Sequence, residues 1–168
     1  MRAAIDAQRA VYELNRKRAA ENREREAENI ARISAGLPPR PLLPILLLGS
    51  GINTGTATVG LMGSEAHIIN YTVFGREVNL ASRLESLSGR GRVLISEATY
   101  QRLLQDEPAL AQTCLALPDA NVKGFRVAVK VYEVPWRSPG SVPLDLEFPS
   151  PGVVDRTSSA LSEPRKTD

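Results

Sequence analysis

NYTVFGREVNLASRLE, residues 70–85, decides how this chain is read. Tyr71, Val73 and Phe74 flank Thr72 in a short β-prone run that stops at Gly75, and helical periodicity begins directly after it. At about 100° per residue, Leu80, Leu84 and Leu87 form an apolar stripe able to pack on a sheet. Asn79 and Arg83, four residues apart, share a face roughly a quarter-turn from that stripe. A buried leucine row would therefore hold an amide and a guanidinium at the edge of a cleft, with side chains from the strand end converging on them. By itself such a pair is an ordinary solvated helix face, so its meaning depends on what surrounds it.

Upstream lies GINTGTATVGLMGS, residues 51–64, in which Gly51, Gly55, Gly60 and Gly63 punctuate β-branched residues. No lysine ends it as in a phosphate-cradling G-x-x-x-x-G-K-[ST] loop, and it does not match the dinucleotide turn G-x-G-x-x-G. Before it, Ile45 to Leu48 is a continuous apolar run between Pro44 and Gly49, which reads as a buried strand. The first 34 residues read as one helix, amphipathic around Ile5, Val11 and Leu14. From Arg16 to Glu28 it is almost wholly charged, with acids and arginines spaced for salt bridging along a solvent-projecting stem. Gly36 with Pro38, Pro39, Pro41 and Pro44 marks the helix stop and a stiff connector.

Downstream, Gly89 and Gly91 turn the chain into a short strand, Arg92 to Ser96, and Ser96 has the character of an N-cap for a helix carrying Thr99, Tyr100, Leu103 and Leu104. Leu115 and Leu117 lead through Pro118 to the turn NVKG. Val127, Val129, Val131 and Val134 then suggest a closing hairpin strand, with Lys123 at its turn. Trp136 reads as a packing cap on the sheet. Two regions result, a folded part over 1–134 and a Pro/Ser-rich tail over 135–168 that composition marks as disordered.

Composition excludes several classes. Cys114 is the single cysteine, so no intrachain disulfide forms, and a reducing cytoplasm is the simplest compartment. His67 is also alone, without the second ligand a metal site requires. A net charge of +2 gives no electrostatic case for nucleic acid, and no run is long enough to span a bilayer.

Taken together, GINTG, the glycine-punctuated segment after it, YTVFGREVNLASRLE, RVLISEATYQRLL and NVKGFRVAVKVYEV resemble, in order and spacing, the class III adenylate/guanylate cyclase catalytic domain, from about Ala3 to Val134. The resemblance implies an α+β, ferredoxin-like sandwich. It implies that Asn79 orients the ribose of the substrate, that Arg83 stabilises the phosphate under attack, that Lys123 holds the β- and γ-phosphates and that Thr72 reads the purine edge. Threonine at that position favours ATP over GTP, so the implied reaction converts ATP to 3′,5′-cyclic AMP and pyrophosphate. It further implies two Mg or Mn ions and a site shared across a homodimer or a heterodimer with another cyclase subunit.

The same resemblance places the two metal-binding aspartates on a strand and a hairpin that would precede Met1. The sequence as it stands therefore reads as an N-terminally truncated cyclase domain, with unpaired strand edges and inactive alone. The acids of the first helix are no substitute, being spaced for salt bridges. The alternative reading is a non-catalytic cyclase-homology module that dimerises with a cyclase partner and modulates it.

Overall fold

The computed structural model describes residues 1–62, 70–89, 91–121, 125 and 127–137. Helix α1 (Arg2–Ser34) is followed by strand β1 (Ser50–Ile52), the hairpin of β2 (Thr58–Met62) and β3 (Asn70–Phe74), and helix α2 (Arg76–Ser88). Strand β4 (Val93–Ser96), helices α3 (Glu97–Asp106) and α4 (Pro108–Ala111), and strands β5 (Leu115–Ala116) and β6 (Val131–Glu133) complete it. The main sheet runs β1-β4-β6-β5, parallel between β1 and β4 and antiparallel elsewhere. The β2–β3 hairpin forms a separate two-stranded sheet. Mixed helices and sheet are what the sequence leads one to expect. Among the described residues, β1 pairs only with β4.

Strand β4 is central. All four of its residues are buried, because helices cover both faces, and Val93, Leu94 and Ile95 form an unbroken apolar run rather than an alternating one. Successive side chains still point to opposite faces. Val93 and Ile95 join Ile5, Leu103, Ala111, Val134 and Trp136 under α1, α3 and α4, while Leu94 joins Leu80, Leu84 and Val131 under α2. Trp136 is buried as a cap on the sheet: its indole donates to the Gly91 carbonyl at 2.8 Å, its ring meets Tyr12 edge-on, and Arg9 holds its carbonyl. Ser96 caps α3 by accepting from the Thr99 amide at 3.2 Å.

Glycines set how closely α2 lies on β1. A Cβ at Gly51 would come within 2.0 Å of the Glu85 nitrogen and 2.4 Å of the Ala81 oxygen, and one at Gly49 within 2.3 Å of Ser88 Oγ. Helix backbone thus rests almost directly on strand backbone. Arg92 closes the far end of α2, donating to the Ser88 carbonyl at 2.8 Å and the Leu87 carbonyl at 2.9 Å.

Five expectations need correction. Leu87 is 41% exposed and Ser88 is fully buried, since the row facing the sheet is the i,i+4 series 80, 84, 88, and contact with Gly49 admits only a small residue at its end. The run from Ile45 to Leu48 is not a strand, because its backbone is engaged by side chains of α1; the strand begins at Ser50. On α1, Ile5 is buried as expected, but the other buried residues are Gln8 and Asn15, and Leu14 is exposed. The charged half of α1 is also not a bare stem, for the chain after Gly36 folds back along it. The closing strand is shorter than the valine spacing suggested: β6 spans Val131–Glu133, with a single bridge between Ala120 and Val129 before it, and Val127 is exposed. Its turn at Lys123, the loop around His67 and the tail from 138 lie outside the described residues.

Salt bridges do line α1, at Asp6–Arg9, Glu13–Arg16 and Glu21–Arg25, though surface pairs of this kind contribute roughly 0–1 kcal/mol each. A different polar contact ties α3 to the sheet. Tyr132, stacked on Tyr100, donates its phenol to Glu97 Oε2 at 2.5 Å. That bond pushes the Tyr132 phenol up to about 12 and holds the Glu97 carboxyl below its usual value.

Two predictions follow from this packing. Gly51→Ala should destabilise the fold by about 1–3 kcal/mol, as overpacking does. Gly60→Ala, where the nearest atom is 3.9 Å away, should change stability by less than about 0.5 kcal/mol; urea unfolding of both variants checks the contrast. The Tyr132–Glu97 bond predicts a late tyrosinate. In an ultraviolet pH titration one tyrosine should ionise near pH 12, and Tyr132→Phe should abolish that step. Because the phenol's pKa is raised, its stabilisation is complete below pH ~10 and lost as pH rises through its folded value. Because the Glu97 carboxyl is lowered, its share is present above its ordinary pKa and lost as pH falls through the folded one.

Candidate functional site

The site grows from the first turns of α2. Gly75 precedes the helix at φ 139°, a backbone conformation that side chains rarely adopt, and its carbonyl accepts from the Asn79 amide at 3.1 Å. This abrupt entry turns the end of β3 into α2 within one residue. Leu80 and Leu84 then lock the helix azimuth, 6% and 0% exposed respectively. With those two facing the sheet, Asn79 and Arg83 stand outward one turn apart, both exposed. Neither side chain makes a hydrogen bond or ion pair to another described residue, so amide and guanidinium are available to a ligand.

Thr72 sits on β3 opposite Gly60 and is half-buried, between the exposed Tyr71 and Val73. It belongs to the strand that feeds α2, two residues before Phe74 and the Gly75 turn. Strand end and helix start thus bring Thr72, Asn79 and Arg83 onto one continuous segment. Lys123 lies outside the described residues.

A polar network that the sequence reading did not single out anchors this segment from below. Asn53, in GINTG, donates to the Glu77 carboxylate at 2.8 Å and the Glu77 carbonyl at 3.0 Å. It accepts from Ser96 Oγ at 2.6 Å. Ser96 and Thr99 hydroxyls are 3.2 Å apart, and Thr99 reaches the Ile52 carbonyl at 3.3 Å and Thr54 at 3.1 Å. One amide therefore ties the first turn of α2, the end of β1 and the β4–α3 junction together. Gly55 is part of the same fit, since a Cβ there would lie 2.6 Å from the Glu77 side chain. The signal in the sequence was the placement of Asn and Gly in one short turn, and its partners are 24 and 43 residues away. Glu77 in the first turn also complements the helix dipole.

Among the described residues, no three Asp, Glu, His or Cys side chains gather where a metal ion could be held. The two divalent ions implied by the resemblance therefore fit no described set of ligands. No described helix is long and apolar enough to cross a membrane.

Comparison with known proteins agrees with the motifs. Residues 45–134 match the family described as the adenylate and guanylate cyclase catalytic domain. The chain is 37% identical over 89 residues to the terminal-differentiation specific adenylate cyclase of Dictyostelium discoideum, covering 51% of this chain and 4% of that protein. It is 31% identical over 117 residues to the receptor-type adenylate cyclase GRESAG 4.1 of Trypanosoma brucei brucei, covering 67% and 9%. It is 41% identical over 59 residues to the soluble guanylate cyclase gcy-32 of Caenorhabditis elegans, covering 35% and 8%. The chain thus spans less than a tenth of the length of these relatives. It belongs to the adenylate and guanylate cyclase catalytic domain family.

Asn53→Ala should cost about 1–3 kcal/mol, because Ser96 and Glu77 lose a shared partner in a partly buried setting. Combined with Ser96→Ala in a double-mutant cycle, it should show a coupling of at least about 0.5 kcal/mol by urea unfolding, whereas additive effects would mean the bond carries no energy.

Proposed function

We propose that this chain supplies the ribose- and phosphate-binding half of an adenylate cyclase site, which converts ATP to 3′,5′-cyclic AMP and pyrophosphate. The observation that carries the reading is the pair Asn79 and Arg83, projected outward from α2 by the burial of Leu80 and Leu84. In this reaction the ribose 3′-oxygen attacks the α-phosphorus of the same nucleotide and the bond to pyrophosphate breaks. The protein must orient the ribose and stabilise charge growing on phosphate oxygens. Asn79 provides direction without charge. Arg83 offers a planar, permanently charged fork that can follow a non-bridging oxygen into the transition state. Lys123 is assigned to the β- and γ-phosphates as a compact cation. Thr72 is assigned to the purine edge, where its hydroxyl can both donate and accept, and it favours adenine.

Two divalent ions, Mg or Mn, would complete such a site by neutralising phosphate charge, and in this reading acidic residues of a partner chain would hold them. Pairing with a second subunit, as homodimer or heterodimer, is supported by the β2–β3 hairpin. Leu61 and Tyr71 are 72% and 74% exposed, with the paired Val59 and Val73 on the same face of the hairpin, a run of apolar side chains left uncovered among the described residues. We place the domain in the cytoplasm.

A second reading, a non-catalytic module that docks on a cyclase through this hairpin, draws support from the absence of an acidic cluster among the described residues. One experiment separates the two. Mixed with a cyclase subunit whose own arginine at this position is disabled, the chain should restore cyclic AMP formation, and Arg83→Ala should lower that activity on the order of 10²- to 10³-fold. Modulation of an intact partner that is indifferent to Arg83→Ala would select the module instead.

A further inference from the structure

We infer that α1 is a reader of polyproline II backbone, and that residues 38–46 are its ligand, bound in register by a repeat written into both segments. On the helix the repeat is Asn-x-x-Arg every seven residues: Asn15 and Arg18, Asn22 and Arg25, Asn29 and Arg32. On the returning arm, PPRPLLPIL, it is three residues long.

Each asparagine takes both backbone groups of one arm residue. Asn15 donates to the Leu46 carbonyl at 2.7 Å and accepts from the Leu46 amide at 2.9 Å. Asn22 does the same for Leu43, at 2.9 and 2.7 Å, and Asn29 for Arg40, at 2.9 and 2.6 Å. Each arginine donates to the carbonyl two residues earlier on the arm, Arg18 to Pro44 and Arg25 to Pro41 at 2.6 Å and Arg32 to Pro38 at 2.9 Å. The asparagine side chain is itself an amide, with one donor edge and one acceptor edge, so it can stand in for a neighbouring strand.

The chemistry of the arm matches row by row. Positions 40, 43 and 46, whose N–H groups are used, are never proline; positions 38, 41 and 44, where only the carbonyl is used, always are. The third row, Pro39, Leu42 and Ile45, makes no hydrogen bond to the helix. Seven helical residues advance about 10.5 Å and three polyproline II residues about 9.3 Å, so the two repeats stay nearly in step over three cycles. A slip of one residue in either direction sets a proline against at least one asparagine and removes its donor. Register matters because the arm runs on through Leu48, which Gln8 holds at 2.6 Å, into β1 and Asn53.

Residue-resolved amide exchange on the full chain tests this. In the unmodified protein, Arg40, Leu43 and Leu46 should exchange at least about tenfold more slowly than Leu42 and Ile45, although none lies in a helix or strand. Leu42→Pro should leave that protection unchanged, whereas Leu43→Pro, one residue along, should abolish it at Arg40 and Leu46. Asn22→Asp, which keeps the acceptor, should preserve protection at Leu43 that Asn22→Leu removes. Uniform exchange from 40 to 46, or equal effects of the two prolines, would overturn the inference.

Discussion

The direction in which Asn79 and Arg83 point depends on how closely α2 can approach β1. At Gly49 and Gly51 the missing side chains let helix backbone settle on strand backbone, and any Cβ at Gly51 would overlap the Glu85 nitrogen and Ala81 oxygen. That approach lets Leu80 and Leu84 reach Leu94 and Val131 across the sheet. Burying two leucines in this way contributes about 1.5–3 kcal/mol each, enough to hold the helix at one azimuth against rotation. Once the azimuth is held, the outward direction of Asn79 and Arg83 is no longer a choice.

Polar contacts refine what the leucines fix coarsely. Asn53 grips the first turn of α2 through both the main chain and the carboxylate of Glu77, while Ser96 holds the amide from the other side. Burial sets rotation about the helix axis, and this network sets where the helix starts. In the proposed site both matter, since a displacement of about 1 Å at a group that positions reacting atoms can cost two orders of magnitude in rate. At the opposite end, Arg92 occupies the last carbonyls of α2 and also reaches Glu133 on β6 at 3.7 Å, so the helix is tied to the sheet at both ends.

The amino-terminal helix works by another principle. It has few apolar residues to bury beyond Ile5, and a helix of its charge would be marginal on packing alone. Its regular asparagines and arginines instead take up the backbone of the returning segment. Those side chains satisfy main-chain groups that a sheet would otherwise serve. Membership in the cyclase catalytic family rests on residues 45–134, and this hairpin of helix and arm lies mostly before that span.

Much of this was legible in the sequence. The strand–glycine–helix unit around Gly75, the outward pairing of Asn79 with Arg83, the cap at Ser96 and the strand ending there all follow from local periodicity and turn chemistry. These are properties of residues within about one helical turn of one another. Tertiary structure alone decided the rest. It exchanged Leu87 for Ser88 at the sheet, because only contact with Gly49 reveals how little room lies there. It showed why GINTG is rich in glycine: Gly51 lets two backbones approach, and Gly55 leaves room for the Glu77 side chain. It also turned an apolar run that looked like a strand into an arm held by asparagines up to 31 residues away. A hydrophobic pattern states that a segment must be covered, whereas the partner that covers it is chosen only when distant parts of the chain meet.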